Sequence, residues 1–150
     1  MSKCIKAFIK EVLITEEKKR KKPGGGVVVV RNFNGEWKVL ALKIKGQYDI
    51  PKGIIDPGED ALGAARRETV EEASIASLDF EWGLESYQAG AVTVFLASTN
   101  QDPVVAENPK TGIREHDSAA WVTWENMFGS VYGYLSPAVS WAKEKVESSQ

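Results

Sequence analysis

The chain has 150 residues, 43% hydrophobic and 27% charged, with a formal net charge of −2. That balance fits one soluble domain with a sizeable core, and it holds no apolar run of membrane-spanning length, no signal segment and no broad basic footprint for nucleic acid. Cys4, the sole cysteine, excludes an intrachain disulfide or cysteine zinc cluster and points to a reducing, cytoplasmic setting, while His116, the sole histidine, excludes multi-histidine metal sites.

In chain order, residues 4–14 mix alternating and helical periods and lean towards a first strand. Residues 16–22, EEKKRKK, form a charge run ahead of Pro23 and three glycines and read as an exposed loop. The β-branched run 27–31 predicts a buried strand, Asn34-Gly35 a hairpin turn, and residues 37–44 its partner. Pro57-Gly58 then makes a turn that Glu59-Asp60 closes, placing acid where a helix dipole favours it, at the start of a helix running to about Ala73. Leu62, Ala65, Thr69 and Ala73 make a narrow core-facing stripe on that helix. Residues 81–87, 91–97 and 119–123 read as further strands, and residues 136–146, with Pro137 near the start, as a closing helix. The order predicts an α+β domain with a mixed sheet between helices.

The chemistry concentrates on one helix face. Glu68 stands three residues before Glu71 and four before Glu72, so these carboxylates crowd about one turn, where like charges repel by roughly 0.2–0.5 kcal/mol per pair. Arg67, four residues before Glu71, can neutralise one of them, leaving a charge excess that suits Mg²⁺ or Mn²⁺ held with waters and phosphates. Taken alone, the acids read first as a solvated face paired with Arg66 and Arg67.

The full spacing is more specific. Gly53, five residues, Glu59, seven residues, then Arg67-Glu68-Thr69-Val70-Glu71-Glu72-Ala73-Ser74-Ile75 resembles the Nudix box, G-x5-E-x7-R-E-U-x-E-E-x-G-U, in which U is a bulky aliphatic. Thr69 stands at the first aliphatic position and Ser74 at the last glycine, so the turn after the helix must form without glycine's freedom at positive φ. The resemblance covers most of the chain and implies a Nudix-type α/β/α sandwich. It also implies that Glu68, Glu71 and Glu72, with the Gly53 carbonyl, ligate Mg²⁺ or Mn²⁺, and that Glu59 and Arg67 orient them. The implied reaction is in-line attack of a metal-activated water on a P–O–P bond of a nucleotide substrate, with a glutamate taking the proton. Glu68 is one candidate base. Glu115 is the other, in Ile113-Arg114-Glu115-His116-Asp117 before Ala120-Trp121-Val122, a stretch similar to the late loop and strand of these hydrolases. His116 reads as a surface or structural residue, with general acid as the alternative.

For substrate, Pro51-Lys52-Gly53 and the following Pro57-Gly58-Glu59-Asp60 are similar to the PKGxxxPGED stretch of diadenosine tetraphosphate (Ap4A) hydrolases. Lys52 is a candidate phosphate contact, and Tyr48, Tyr87 and Trp82 are candidate stacking surfaces for a base. The tyrosine that marks the dinucleoside polyphosphate branch would fall at residues 91–93 and is absent, as is the proline of ADP-ribose hydrolases, which would fall at Gly90. A dinucleoside polyphosphate is therefore the first substrate expectation. ADP-ribose or a nucleotide sugar, a nucleoside triphosphate and an RNA 5′ end are the alternatives, together with a nucleotide-binding regulator that has lost turnover.

Overall fold

The computed structural model describes residues 22–150, so the expected strand over 4–14 and the charge run before Lys22 lie outside the described residues. β1 (Gly24–Phe33) is the central strand. Val27 and Val29 pack on one face and Val28 and Val30 on the other, all fully buried, which is why the apolar run is continuous rather than alternating. β1 runs parallel to β6 (Val92–Ser98) and antiparallel to β2 (Glu36–Ile44) through the expected Asn34-Gly35 turn.

The β1–β2 ladder covers only Val30 to Phe33 of β1, and the two strands then part. The chain fills the gap itself. β3 (Gln47–Asp49) pairs with β2, and β4 (Lys52–Ile54) pairs with β1 at Gly24 to Gly26. The main chain from Asp49 to Ile54 thus crosses the opening in the sheet, and the Val27 N–H donates to the Pro51 carbonyl at 3.0 Å. β5 (Tyr87–Ala89) adds to β6 and β7 (Ser118–Val122) to β2, both antiparallel, giving the mixed sheet the sequence predicts.

Helix α1 (Ala61–Ala73) covers one face, where Ala65, Ala73 and Ile75 meet Val27, Val29, Leu40, Leu42 and Phe95. The predicted stripe is buried at Ala65, Thr69 and Ala73 and half-buried at Leu62. α2 (Trp124–Ser130), a 3-10 turn over Gly133–Leu135 and α3 (Ser136–Ser148) cover the other face through residues such as Met127, Leu135, Val139 and Val146. The result is an α/β/α sandwich. Among the described residues no helix is long and apolar enough to cross a membrane.

Three expectations change. The strand expected over 81–87 is confined to Tyr87–Ala89, because Asp79 already bridges Ser98 and the chain between must loop around the edge of β6. The strand expected over 27–31 begins earlier, at Gly24, so the three glycines are its buried start. A Cβ on Gly25 would lie 2.1 Å from the Ala61 carbonyl oxygen, so only glycine lets α1 rest on the strand backbone. Helix α2, capped by the Thr123 side chain on the Asn126 N–H, was not expected from the sequence.

Candidate active site

Asp60 starts α1 by accepting the Gly63 N–H at 2.7 Å, and Ser74 ends it in the left-handed conformation with φ 58° and ψ 30°. The serine therefore adopts the geometry a glycine would take at that position, and its hydroxyl donates to the Val104 carbonyl at 2.9 Å. Between these ends, the helix turns Glu68, Glu71 and Glu72 towards β4 and the crossing segment. Gly53 lies directly under Glu68, and a Cβ there would stand 2.2 Å from the Glu68 carboxyl carbon. Glycine at this point is a clearance for the carboxylate.

Arg67 does more than neutralise one acid. Its Nε and Nη2 donate to the two oxygens of Glu59 at 3.0 Å each, its Nη1 to Glu68 at 2.7 Å and Glu71 at 3.3 Å, and its Nη2 also to the Ile54 carbonyl at 2.9 Å. A planar guanidinium can span these partners at once, whereas helical spacing alone implies only the Glu71 pair. The Arg67 hydrogen bonds, with the Asp56 N–H, hold the Glu59 carboxyl below its ordinary value. Glu59 and Arg67 brace the turn before α1 against the helix.

Glu72 is the buried member, 7% exposed, and its Oε2 has no hydrogen-bond partner among the described residues. Burial first, then hydrogen bonding and charge repulsion from Glu68 and the charge of Asp49, push its carboxyl up to about 10. An orphaned oxygen beside other carboxylates is a hard-oxygen donor set that fits a divalent cation.

Asp49 is the residue the sequence reading missed, and His116 is one it weighed only as a surface or structural residue or a general acid. Asp49 accepts from Lys52 Nζ at 3.1 Å and lies 3.0 Å from His116 Nε2, and both Asp49 and His116 are 5% exposed. His116, expected in solvent or as a structural loop residue, is in fact enclosed beside the glutamates. Burial alone would lower the Lys52 ammonium, but the charge of Asp49 with Tyr134 and Glu72 raises it above its ordinary value. Lys52 is charged at any working pH. Glu115 is exposed and accepts the Asn108 amide at 3.1 Å, and one ligand atom each from Glu72, Glu115 and His116 lies within 4.8 Å of the others.

Beside this cluster opens a pocket of about 670 Å³ whose walls include Lys52, Gly53, Ile54, Gly90, Ala91 and Tyr134. Its aromatic surface is Tyr134. Tyr48 and Tyr87 do not line it: both pack on the core under α2 and α3, Tyr48 beneath the Lys43 ammonium and Tyr87 tilted against Trp141. Trp82 packs edge-on against Trp37. Tyr134 lies in a short 3-10 turn with no periodic pattern, so only its lack of a core-facing role in the sequence could have marked it.

The NUDIX domain family model matches residues 11–143. No curated protein sequence matches significantly. Among solved structures, the C. elegans Ap4A hydrolase in a binary complex superposes with a TM-score of 0.68 at 26% identity, covering 83% of this chain and 98% of that one. A Nudix hydrolase from M. smegmatis, RenU, shares the fold with a TM-score of 0.65 at 16% identity, over 85% and 87% of the two chains. The NUDIX domain of Shewanella oneidensis NrtR, solved with ADP ribose, shares it with a TM-score of 0.58 at 11% identity, over 87% and 89%. Nudix hydrolases use a divalent metal, and the donors around Glu72 suit one. The box, the layered sheet and the family match together establish that the chain belongs to the Nudix family and is a Nudix hydrolase, a pyrophosphohydrolase by class.

Proposed function

We propose that this enzyme is a Mg²⁺-dependent hydrolase, with Mn²⁺ as a substitute, that cleaves a P–O–P bond in a nucleoside diphosphate joined to another group, dinucleoside polyphosphates such as Ap4A first. The observation that carries this reading is that Gly53, which lies against Glu68, also walls the pocket beside Lys52 and Tyr134. Carboxylates for a cation, a fixed positive charge for phosphate and an aromatic face for a base thus adjoin one opening.

In this reading Glu68, Glu71, Glu72 and Glu115, with the Gly53 carbonyl, hold the cation. The ion, when bound, supplies Lewis acidity at phosphorus and a water of lowered pKa. Lys52, oriented by Asp49, binds polyphosphate oxygens as a point charge. Arg67 and Glu59 keep the carboxylates in place, and Glu68 or Glu115 takes the proton of the attacking water. Tyr134 offers the base a stacking surface, a part the sequence assigned to Tyr48 and Tyr87. A cytoplasmic location and a single Nudix domain accord with the lone cysteine and the span of the family match.

Similarity to the C. elegans Ap4A hydrolase and the Pro51-Lys52-Gly53 lead-in favour the dinucleoside substrate. A second reading, ADP-ribose, draws on the ADP ribose complex of the NrtR domain and on the pocket wall at Gly90 and Ala91, which carries no second aromatic ring. The test is hydrolysis of Ap4A, ADP-ribose, nucleotide sugars, nucleoside triphosphates and capped RNA in Mg²⁺ and Mn²⁺, with products identified by mass spectrometry. Mononucleotide release fastest from Ap4A is expected. Faster turnover of ADP-ribose would replace the first reading by the second, and no turnover of any member would overturn both.

A further inference from the structure

The chain's only histidine lies on the buried side of the carboxylate cluster, in a setting that bears on which cations the site takes. His116 Nε2 is 3.0 Å from Asp49 Oδ2, and the same oxygen receives the Lys52 ammonium while Oδ1 receives the Ile50 N–H at 2.8 Å. A carboxylate so engaged is an acceptor, so Nε2 carries a proton, and in the neutral ring Nδ1 then presents a lone pair. Nδ1 faces Glu72 Oε2 at 3.8 Å, too far for a hydrogen bond, and Glu72 Oε2 is itself buried without a partner among the described residues.

A buried, unpartnered carboxylate oxygen and a ring nitrogen that faces it at this distance suit a shared ion. Ligands at roughly 2.1 Å from one metal stand about 3.0 Å apart when cis and about 4.2 Å apart when trans, and 3.8 Å falls between. Glu115 completes the set within 4.8 Å, and as an exposed side chain it can swing inwards to close the remaining gap. Between Glu72, Asn108, Glu115 and His116 lies a cavity of about 10 Å³, the space of one water-sized sphere.

We propose that His116 Nδ1, Glu72 and Glu115 form a mixed nitrogen and oxygen position for one divalent cation, with Asp49 as the positioning residue that fixes the histidine tautomer. This deepens the metal-dependent reading of the site and rests on it. Imidazole favours borderline ions over the hard Mg²⁺, so this position selects Zn²⁺ or Co²⁺. The all-oxygen donors at Glu68 and Glu71 carry no such preference. The carboxylate, histidine and metal chain is the arrangement in which a hydrogen-bonded carboxylate orients the ring and raises its basicity.

A sole histidine makes the test direct. In the full chain labelled with ¹⁵N-histidine, long-range proton–nitrogen spectra report one ring. Without metal they should give a protonated Nε2 and a bare Nδ1. One equivalent of Zn²⁺ should then move the Nδ1 resonance strongly while Nε2 keeps its proton, and Mg²⁺, held by the carboxylates alone, should move Nδ1 far less. Asp49→Asn should lower Zn²⁺ affinity about 10–100-fold by calorimetry and leave Mg²⁺ affinity unchanged. Glu115→Gln, a change at an exposed side chain, should lower Zn²⁺ affinity at least about tenfold even where Asp49→Asn fails to fold. Zn²⁺ binding with Nδ1 unmoved, or a proton found on Nδ1, would overturn the proposal and leave the metal-dependent reading standing. Failure of Zn²⁺, Mn²⁺ and Mg²⁺ alike to bind would overturn both.

Discussion

Replacing Glu72 by Gln should make the metal-free protein more stable while abolishing most of its turnover. The Glu72 carboxyl titrates at about 10 in the fold against an ordinary value of 4.5, because it is buried beside Glu68 and Asp49. Between those values the folded state binds a proton that the unfolded chain does not. Stability from this group is therefore full below about pH 4.5 and is lost as pH rises through the window to about 10. At pH 7.5 the difference is 7.5 − 4.5 = 3 pH units, which at about 1.36 kcal/mol each gives a ceiling near 4 kcal/mol. Relaxation of the fold and water penetration around the ionised group lower this to about 2 kcal/mol. Glutamine has nearly the same volume and no charge to desolvate. In EDTA at pH 7.5, urea unfolding followed by tryptophan fluorescence should place Glu72→Gln about 1 M higher in midpoint, taking a slope near 2 kcal/mol/M. Its pH profile between 5 and 9 should be flatter than that of the unsubstituted protein, and Mg²⁺ should stabilise only the latter. A variant that is less stable in EDTA, or one with an unchanged pH slope, would refute this account of the buried carboxyl. Near-normal hydrolysis would refute its place in the site.

Arg67→Lys supplies one point charge where a fork holds Glu59, Glu68 and Glu71, and turnover should fall about 10–100-fold in steady-state assays with helix content unchanged. A rate within about twofold of normal would contradict the bracing role. Ser74→Gly relieves about 1 kcal/mol of left-handed backbone strain and loses a hydroxyl bond of similar size, so chemical denaturation should register little change. Ser74→Ala keeps the strain, loses the bond and should cost about 1 kcal/mol; equal stability would remove the Val104 contact from the account. Tyr134→Ala should raise KM for Ap4A about tenfold with kcat largely kept, since base stacking is worth about 1–3 kcal/mol. A KM that does not move would take the base away from this surface.

The parts legible in the sequence are those that local geometry fixes. Glu68, Glu71 and Glu72 share a face because helical spacing dictates it, and residues 27–31 announce a two-sided buried strand by composition alone. The Asp49 and His116 pair was illegible because its members are 67 residues apart in sequence and meet only where β1 and β2 part. β3 and β4, at three residues each, are too short to carry a period. The reach of Arg67 to Glu59 depends on how the turn at Pro57-Gly58 folds back, which spacing on α1 does not encode. Tyr134 was passed over for Tyr48 and Tyr87 because aromatic content does not distinguish a ring in the core from one on a pocket wall.

The contact at Gly25, where α1 rests on strand backbone, has a consequence for how the enzyme can be altered. Side chains would have no room between the helix that carries the acids and the strand that supports Gly53, so these two elements behave as one chassis with a fixed gap. The walls at Gly90, Ala91 and Tyr134 lie outside that gap. Substitutions that probe the proposed substrate contacts can therefore be made on the replaceable walls, while the carboxylates stay in register on their chassis.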